Sequence, residues 1–194
     1  MNAIVGKRLE TLRYVFNDIF LLGMMAVIAG ILTAAMVMQY AYGELPCPLC
    51  LLQRAAMLGV CFGLMQNFRN GFSDRNLGYS LLFSVFLLIV AVRQTLLDIY
   101  PRPGHAYIGT AVLGLHMPVW SIVIATALIT AFALKLCVIG TEDGARPPAR
   151  KSLLGRLGII LSLYVIAIAL INFGSVAVQC GLGECHTTGY ALLK

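Results

Sequence analysis

The chain has 194 residues, 60% of them hydrophobic and only 11% charged, with a mean hydropathy of +0.88. A water-soluble domain carries roughly 25% charged residues, so this composition excludes an ordinary soluble fold. Its formal charge of +6 does not mark a nucleic-acid binder: there is no basic patch interleaved with aromatics, and Lys and Arg gather in the cytoplasmic loops of membrane proteins.

Apolar stretches of about 20 residues, enough to cross the hydrocarbon core, predict five helical spans. Residues 1–19 are mixed polar, with Lys7, Arg8 and Arg13. The apolar run that follows is longer than a signal-peptide core, which predicts an uncleaved first span over 20–40. Its Met24, Met25, Met36 and Met38 read as packing filler rather than a copper path. A short loop, 41–46, leads to span two at 47–68, and a hydrophilic turn, 69–76, to span three at 77–99. A Pro- and Gly-rich loop, 100–118, precedes span four at 119–139. A charged loop, 141–156, precedes span five at 157–178, whose polar breaks are Ser162, Tyr164, Asn172 and Ser175. A short tail completes one all-α integral membrane domain without internal repeats.

With the N-terminus in the cytoplasm, ten Lys and Arg fall on inner segments. Only Arg102 and Lys194 fall on outer ones, the bias of the positive-inside rule. Five spans then put the C-terminus outside. Cys47, Cys50, Cys180 and Cys185 share the outer face, where disulfides persist. Cys61 and Cys137 fall deeper and read as small buried hydrophobes. Four outer cysteines allow three connectivities, and spacing favours Cys47 with Cys50 and Cys180 with Cys185. Such short loops add little stability, which points to redox chemistry. A clip that tidies the tail is the competing reading of the second pair.

Thiol–disulfide exchange needs little more than is present around Cys47-Pro48-Leu49-Cys50. Pro48 suits a first helical turn. Cys50 then lies in that turn, where free N–H groups and the macrodipole favour a thiolate. Arg54, four residues on, shares its face. An intramembrane arginine is by default a functional hypothesis, with snorkelling to the interface as the alternative. Arg93 in span three is expected at a comparable depth, so the two arginines suggest an anionic or carbonyl-bearing ligand. Pairing with Asp98 is the structural alternative. A zinc site needs four N or S donors, and His105, His116 and His186 are widely spaced. Nothing reads as a haem, flavin or iron–sulfur site, so a lipid-soluble quinone is the economical electron acceptor.

At these residues the chain resembles the DsbB family of bacterial inner-membrane disulfide-forming proteins. The matching pieces are Cys47-Pro48-Leu49-Cys50 with Gln53-Arg54, Val92-Arg93-Gln94 before Tyr100-Pro101, and Met117-Pro118-Val119-Trp120-Ser121 opening span four. The resemblance implies a four-helix transmembrane bundle in the inner membrane, its active cysteines facing the periplasm. It implies a Cys-x-x-Cys pair oxidised by ubiquinone or menaquinone, with Cys50 in charge-transfer contact with the quinone and Arg54 assisting. It also implies a DsbA-like thioredoxin-fold partner, or a dedicated substrate, as the source of electrons.

The chain departs from that pattern in two ways. Typical members carry a second cysteine pair between spans three and four, where this chain has none, and they lack a fifth span. Cys180 and Cys185 are the candidate replacement, as a shuttle acting from a new position. Two other readings remain: a non-enzymatic assembly or metal-handling factor using Cys and Met ligands, and a thiol reductase running the same relay in reverse. His105 and His116 are candidates for proton transfer to reduced quinone, with solvated or interface-packed histidines as the favoured reading.

Overall fold

Five long helices follow one another in the computed structural model, which describes residues 2–99, 111–139, 153–181, 183, 185 and 189–193. They are α1 (Asn2–Ala41), α2 (Pro48–Asn70), α3 (Asp74–Ile99), α4 (Met117–Ile139) and α5 (Leu153–Cys180), followed by a 3-10 turn at Ala191–Leu193. All five are long and apolar enough to cross a membrane, as the hydropathy predicts. Helix α1 starts well before residue 20 because nothing in the polar segment stops it: residues 2–19 contain no proline. Asn17 and Asp18 are buried within it. His105 and His186 lie outside the described residues.

Helix α2 is the centre of the bundle, packing against α1, α3 and α5. Its start is fixed locally. Cys47 is extended (φ −70°, ψ 161°) and occupies the cap position, with Pro48 in the first turn. The Cys47 sulfur accepts the backbone N–H of Cys50 at 3.1 Å, filling the place of the usual cap oxygen. Its far end turns sharply into α3, where the Asn67 side chain accepts the Ser73 N–H at 2.9 Å.

The α2–α3 contact is close because Gly63 has no side chain. A Cβ there would lie 2.6 Å from the Asn76 carbonyl oxygen and 2.8 Å from the Ser80 nitrogen. Ser80 uses that proximity to donate across the interface to the Val60 carbonyl at 3.0 Å. Small residues letting backbones approach is the expected mode of helix association in lipid, where apolar side chains gain little by leaving the solvent. The core runs along the bundle from Leu21, Met25, Ile28 and Leu32 of α1 through Val60, Cys61 and Leu64 of α2 to Phe132 of α4 and Val165 of α5. Cys61 is a free thiol packed in that core, as expected, whereas Cys137 is exposed on α4 because its helical phase turns it away from Leu128 and Phe132.

Candidate active site

Both cysteine pairs form disulfides, Cys47 with Cys50 and Cys180 with Cys185. The first spans the cap and first turn of α2, with Cys47 buried and Cys50 half-buried. The second closes a loop at the end of α5, which leaves the helix through Gly181 at φ 57°, in the left-handed region that glycine adopts without strain. The two pairs lie at the same end of the bundle. Gln179, just before Cys180, donates from its side chain to the carbonyl of Pro46, just before Cys47, at 2.9 Å.

Arg54 sits one turn below Cys50 and is buried. Its guanidinium donates to Gln39 Oε1 at 2.6 Å and to the Ala35 carbonyl at 3.0 Å, both on α1. Longer contacts of 3.5 Å reach Met36 Sδ on α1 and Asn172 Oδ1 on α5. Gln39 passes the chain on, donating to Ser175 Oγ at 2.6 Å and to the Tyr190 hydroxyl at 3.4 Å. A cation this deep is tolerated only when its N–H groups are engaged, and here neutral dipoles engage them. Asn172, Ser175 and Gln179 follow one another at helical spacing, so the fifth helix turns a polar stripe into the site.

A cavity of about 390 Å³ opens beside these groups, between α1, α2, α4 and the turn at 112–113. Its walls are mostly apolar, among them Leu32, Met57 and Ile124, and its polar edge carries Cys50, Gln53, Arg54, Ser121 and Glu44. A mostly apolar pocket with a few convergent polar groups is the usual form of a small-molecule site. A larger groove of about 700 Å³ lies between α2 and α5 near Arg69, without a disulfide on its walls. The 112–115 turn closes one side of the smaller cavity. Val112 and Leu115 exchange backbone hydrogen bonds at 2.9 and 3.1 Å. Leu113 and Gly114 between them have φ of 52° and 79°, and the Trp120 indole donates to the Val112 carbonyl at 2.9 Å.

Arg93 does not join Arg54. It is exposed on α3, in a separate shallow groove with Leu88, Ile89, Val92, Leu96 and Leu97. The reason is helical phase: Leu87, Val90, Ala91 and Gln94 face the bundle, and Arg93 is rotated away. The residue that does reach the site is its neighbour. Gln94 Nε2 lies 3.3 Å from Cys47 Sγ and 3.4 Å from Cys50 Sγ, an arrangement that spacing within span two cannot reveal. Among the described residues no three His, Cys, Asp or Glu side chains converge as a metal site would require.

Residues 17–135 match the family model described as disulfide bond formation protein DsbB. The chain is also similar to disulfide bond formation protein B of Aromatoleum aromaticum (strain DSM 19018 / LMG 30748 / EbN1), 35% identical over 86 residues. That similarity covers 41% of this chain and 51% of the relative, so the chain spans about half the length of the curated relative it matches. No solved structure matches. The family match ends before α5 and the second disulfide, yet it takes in more than half the sequence, with Cys47, Cys50, Arg54, Gln53, Gln94 and Ser121; the chain belongs to the DsbB family.

Proposed function

We propose that this protein is a quinone-dependent thiol oxidase of the bacterial inner membrane. It reoxidises a periplasmic DsbA-like thioredoxin-fold protein and passes two electrons through Cys47 and Cys50 to ubiquinone or menaquinone. The observation that carries this reading is the position of Cys50 and Arg54 on one wall of the 390 Å³ cavity. The cavity suits a flat ring with polar oxygens: its faces are apolar, and its edge offers a guanidinium and the Gln53 and Ser121 side chains. A quinone held there accepts two electrons and two protons.

The chain's own residues supply the rest. Arg54, fixed by Gln39 and Ala35, presents a cationic donor at the wall. Val112 and Leu113 of the Trp120-pinned turn add apolar surface to the cavity wall. Cys180 and Cys185 act as the shuttle in this reading, taking electrons from the partner and delivering them to Cys47–Cys50. The contact of Gln179 with Pro46, which brings the two pairs' sequence neighbours together, supports that order. An N-terminus in the cytoplasm, as the Lys and Arg distribution favours, puts both pairs on the periplasmic side.

The test is quinone reduction on adding a reduced thioredoxin-fold protein to the purified chain. Turnover in the wild-type protein and its loss in Cys50→Ser are expected; a Cys50→Ser protein that still turns over would sink the reading.

A further inference from the structure

Gln53, Gln94 and Ser121 form a polar chain buried among apolar side chains, each of the three less than a tenth exposed. Such a chain is costly unless every member is satisfied, and here the bonds run in one direction. The Ser121 hydroxyl donates to Gln53 Oε1 at 2.9 Å, its nearer acceptor, with the Met117 carbonyl at 3.2 Å, and Gln53 Nε2 donates to Gln94 Oε1 at 2.8 Å. Gln94 Oε1, engaged by Gln53, stands 4.0 Å from Cys50 Sγ, and the Gln94 nitrogen is the group closest to the disulfide. That nitrogen carries two hydrogens and has two sulfurs within 3.4 Å. Three helices, α4, α2 and α3, combine to aim one neutral donor at the two reacting atoms.

We infer that Gln94 is a catalytic residue of disulfide exchange, the donor that holds the sulfur leaving as thiolate when Cys47–Cys50 is attacked. The inference rests on the thiol-oxidase reading and adds a residue to it. In the step concerned, a thiolate of the donor dithiol attacks one sulfur of Cys47–Cys50. A mixed disulfide forms, the Cys47–Cys50 bond breaks, and the departing sulfur takes the bonding pair. The donor's second thiolate then displaces the mixed disulfide. The donor leaves as a disulfide, and Cys47 and Cys50 hold the two electrons. Exchange speeds up when the leaving thiolate is stabilised, and a hydrogen bond to the charged form does that. Arg54 is committed to α1 and α5, and the dipoles of the Ser121–Gln53–Gln94 chain add at the Gln94 N–H.

The experiment measures the first-turnover reduction of Cys47–Cys50 by excess dithiothreitol in the detergent-solubilised full chain without added quinone. Samples are acid-quenched, alkylated and read by peptide mass. Gln94→Met fills the same space without a donor and is expected to reduce roughly tenfold or more slowly, the range for a lost hydrogen bond to a charged group. Gln94→Glu keeps the acceptor for Gln53 but places a carboxylate at the thiolate, and is expected to be slower still. Packing alone would survive both changes, so wild-type rates in the two variants overturn the assignment. Should Gln94→Met lose its helical circular dichroism, Gln53→Met decides. It leaves Gln94 in place but unlocked, an intermediate rate is expected, and a wild-type rate again overturns the assignment. Quinone reduction by the wild-type protein is scored separately, so failure of the relay reading is not confused with failure of this one.

Discussion

The two disulfides stand at the same end of one bundle in different settings. Cys47–Cys50 is built into a helix start. Its sulfurs receive the Cys50 backbone N–H and the Gln94 amide, and Cys50 borders a cavity. Cys180–Cys185 closes a loop beyond a helix end, with Gly181 and the exposed Gly183 between the cysteines and the 191–193 turn folded back beside Gly181. In the proposed relay the first pair faces the small acceptor, since Cys50 borders the cavity. In the same proposal the second pair, on its short loop, faces the partner. The difference teaches that a pair's surroundings, more than its spacing, assign its place in a relay.

The largest effects come from breaking one pair at a time. Cys50→Ser is expected to abolish quinone reduction from any thiol donor. The double change Cys180→Ser with Cys185→Ser is expected to abolish oxidation of the thioredoxin-fold partner while leaving dithiothreitol-driven quinone reduction within about twofold of wild type, since small thiols reach Cys47–Cys50 without a shuttle. Parallel assays with the two donors check this. Equal partner-driven rates in the double variant and the wild type would reduce the second pair to a structural clip and erase the functional half of the comparison.

How much of this was legible in the sequence depends on how far apart the cooperating residues lie. Cys47, Cys50 and Arg54 share the start of one helix, so their spacing alone places them together. Five spans follow from hydropathy, and both pairings follow from separations of three and five residues, as observed. Arg93 shows the limit. Its charge marks it in the sequence, yet the residue at the disulfide is its neighbour Gln94. The signal was the stripe Ser80, Ser84, Ala91 and Gln94, small and polar residues at helical spacing, which lipid-immersed helices turn inward. Asn172 and Ser175, read as mere polar breaks in span five, form the same kind of stripe with Gln179. The 112–115 turn carries no comparable signal: it puts a leucine, Leu113, in the left-handed region and depends on an indole five residues beyond its end.

A second experiment sharpens the contrast from the cavity side. Arg54→Met removes the cation but keeps most of the volume. The change relieves the cost of burying an ion, while Gln39 Oε1 and the Ala35 carbonyl, left without that donor, cost about 1–3 kcal/mol each. These offset, so the thermal midpoint is expected to move little. The acceptor loses a charged donor, and the KM for quinone is expected to rise roughly tenfold to a hundredfold. First-turnover reduction of Cys47–Cys50 by dithiothreitol should be unaffected, because Arg54 donates to α1 and α5 and not to the sulfurs. A large slowing of that step would move Arg54 from the acceptor side of the comparison to the disulfide side.

The smallest expected effect tests the link between the pairs. Gln179 Nε2 ties α5 to the Pro46 carbonyl immediately before the first pair. Gln179→Leu preserves bulk and apolar character but drops that bond, which is worth about 1 kcal/mol between helices in a membrane. Fold and dithiothreitol-driven turnover are expected to persist. Partner-driven turnover is expected to fall severalfold, because transfer between two disulfides depends on their being held in register, and small misplacements are expensive in such steps. Were both donors slowed equally, the bond would be supporting the start of α2 and not the approach of the tail. The fifth helix would then belong to the acceptor site, through Asn172 and Ser175, and not to a path between the pairs.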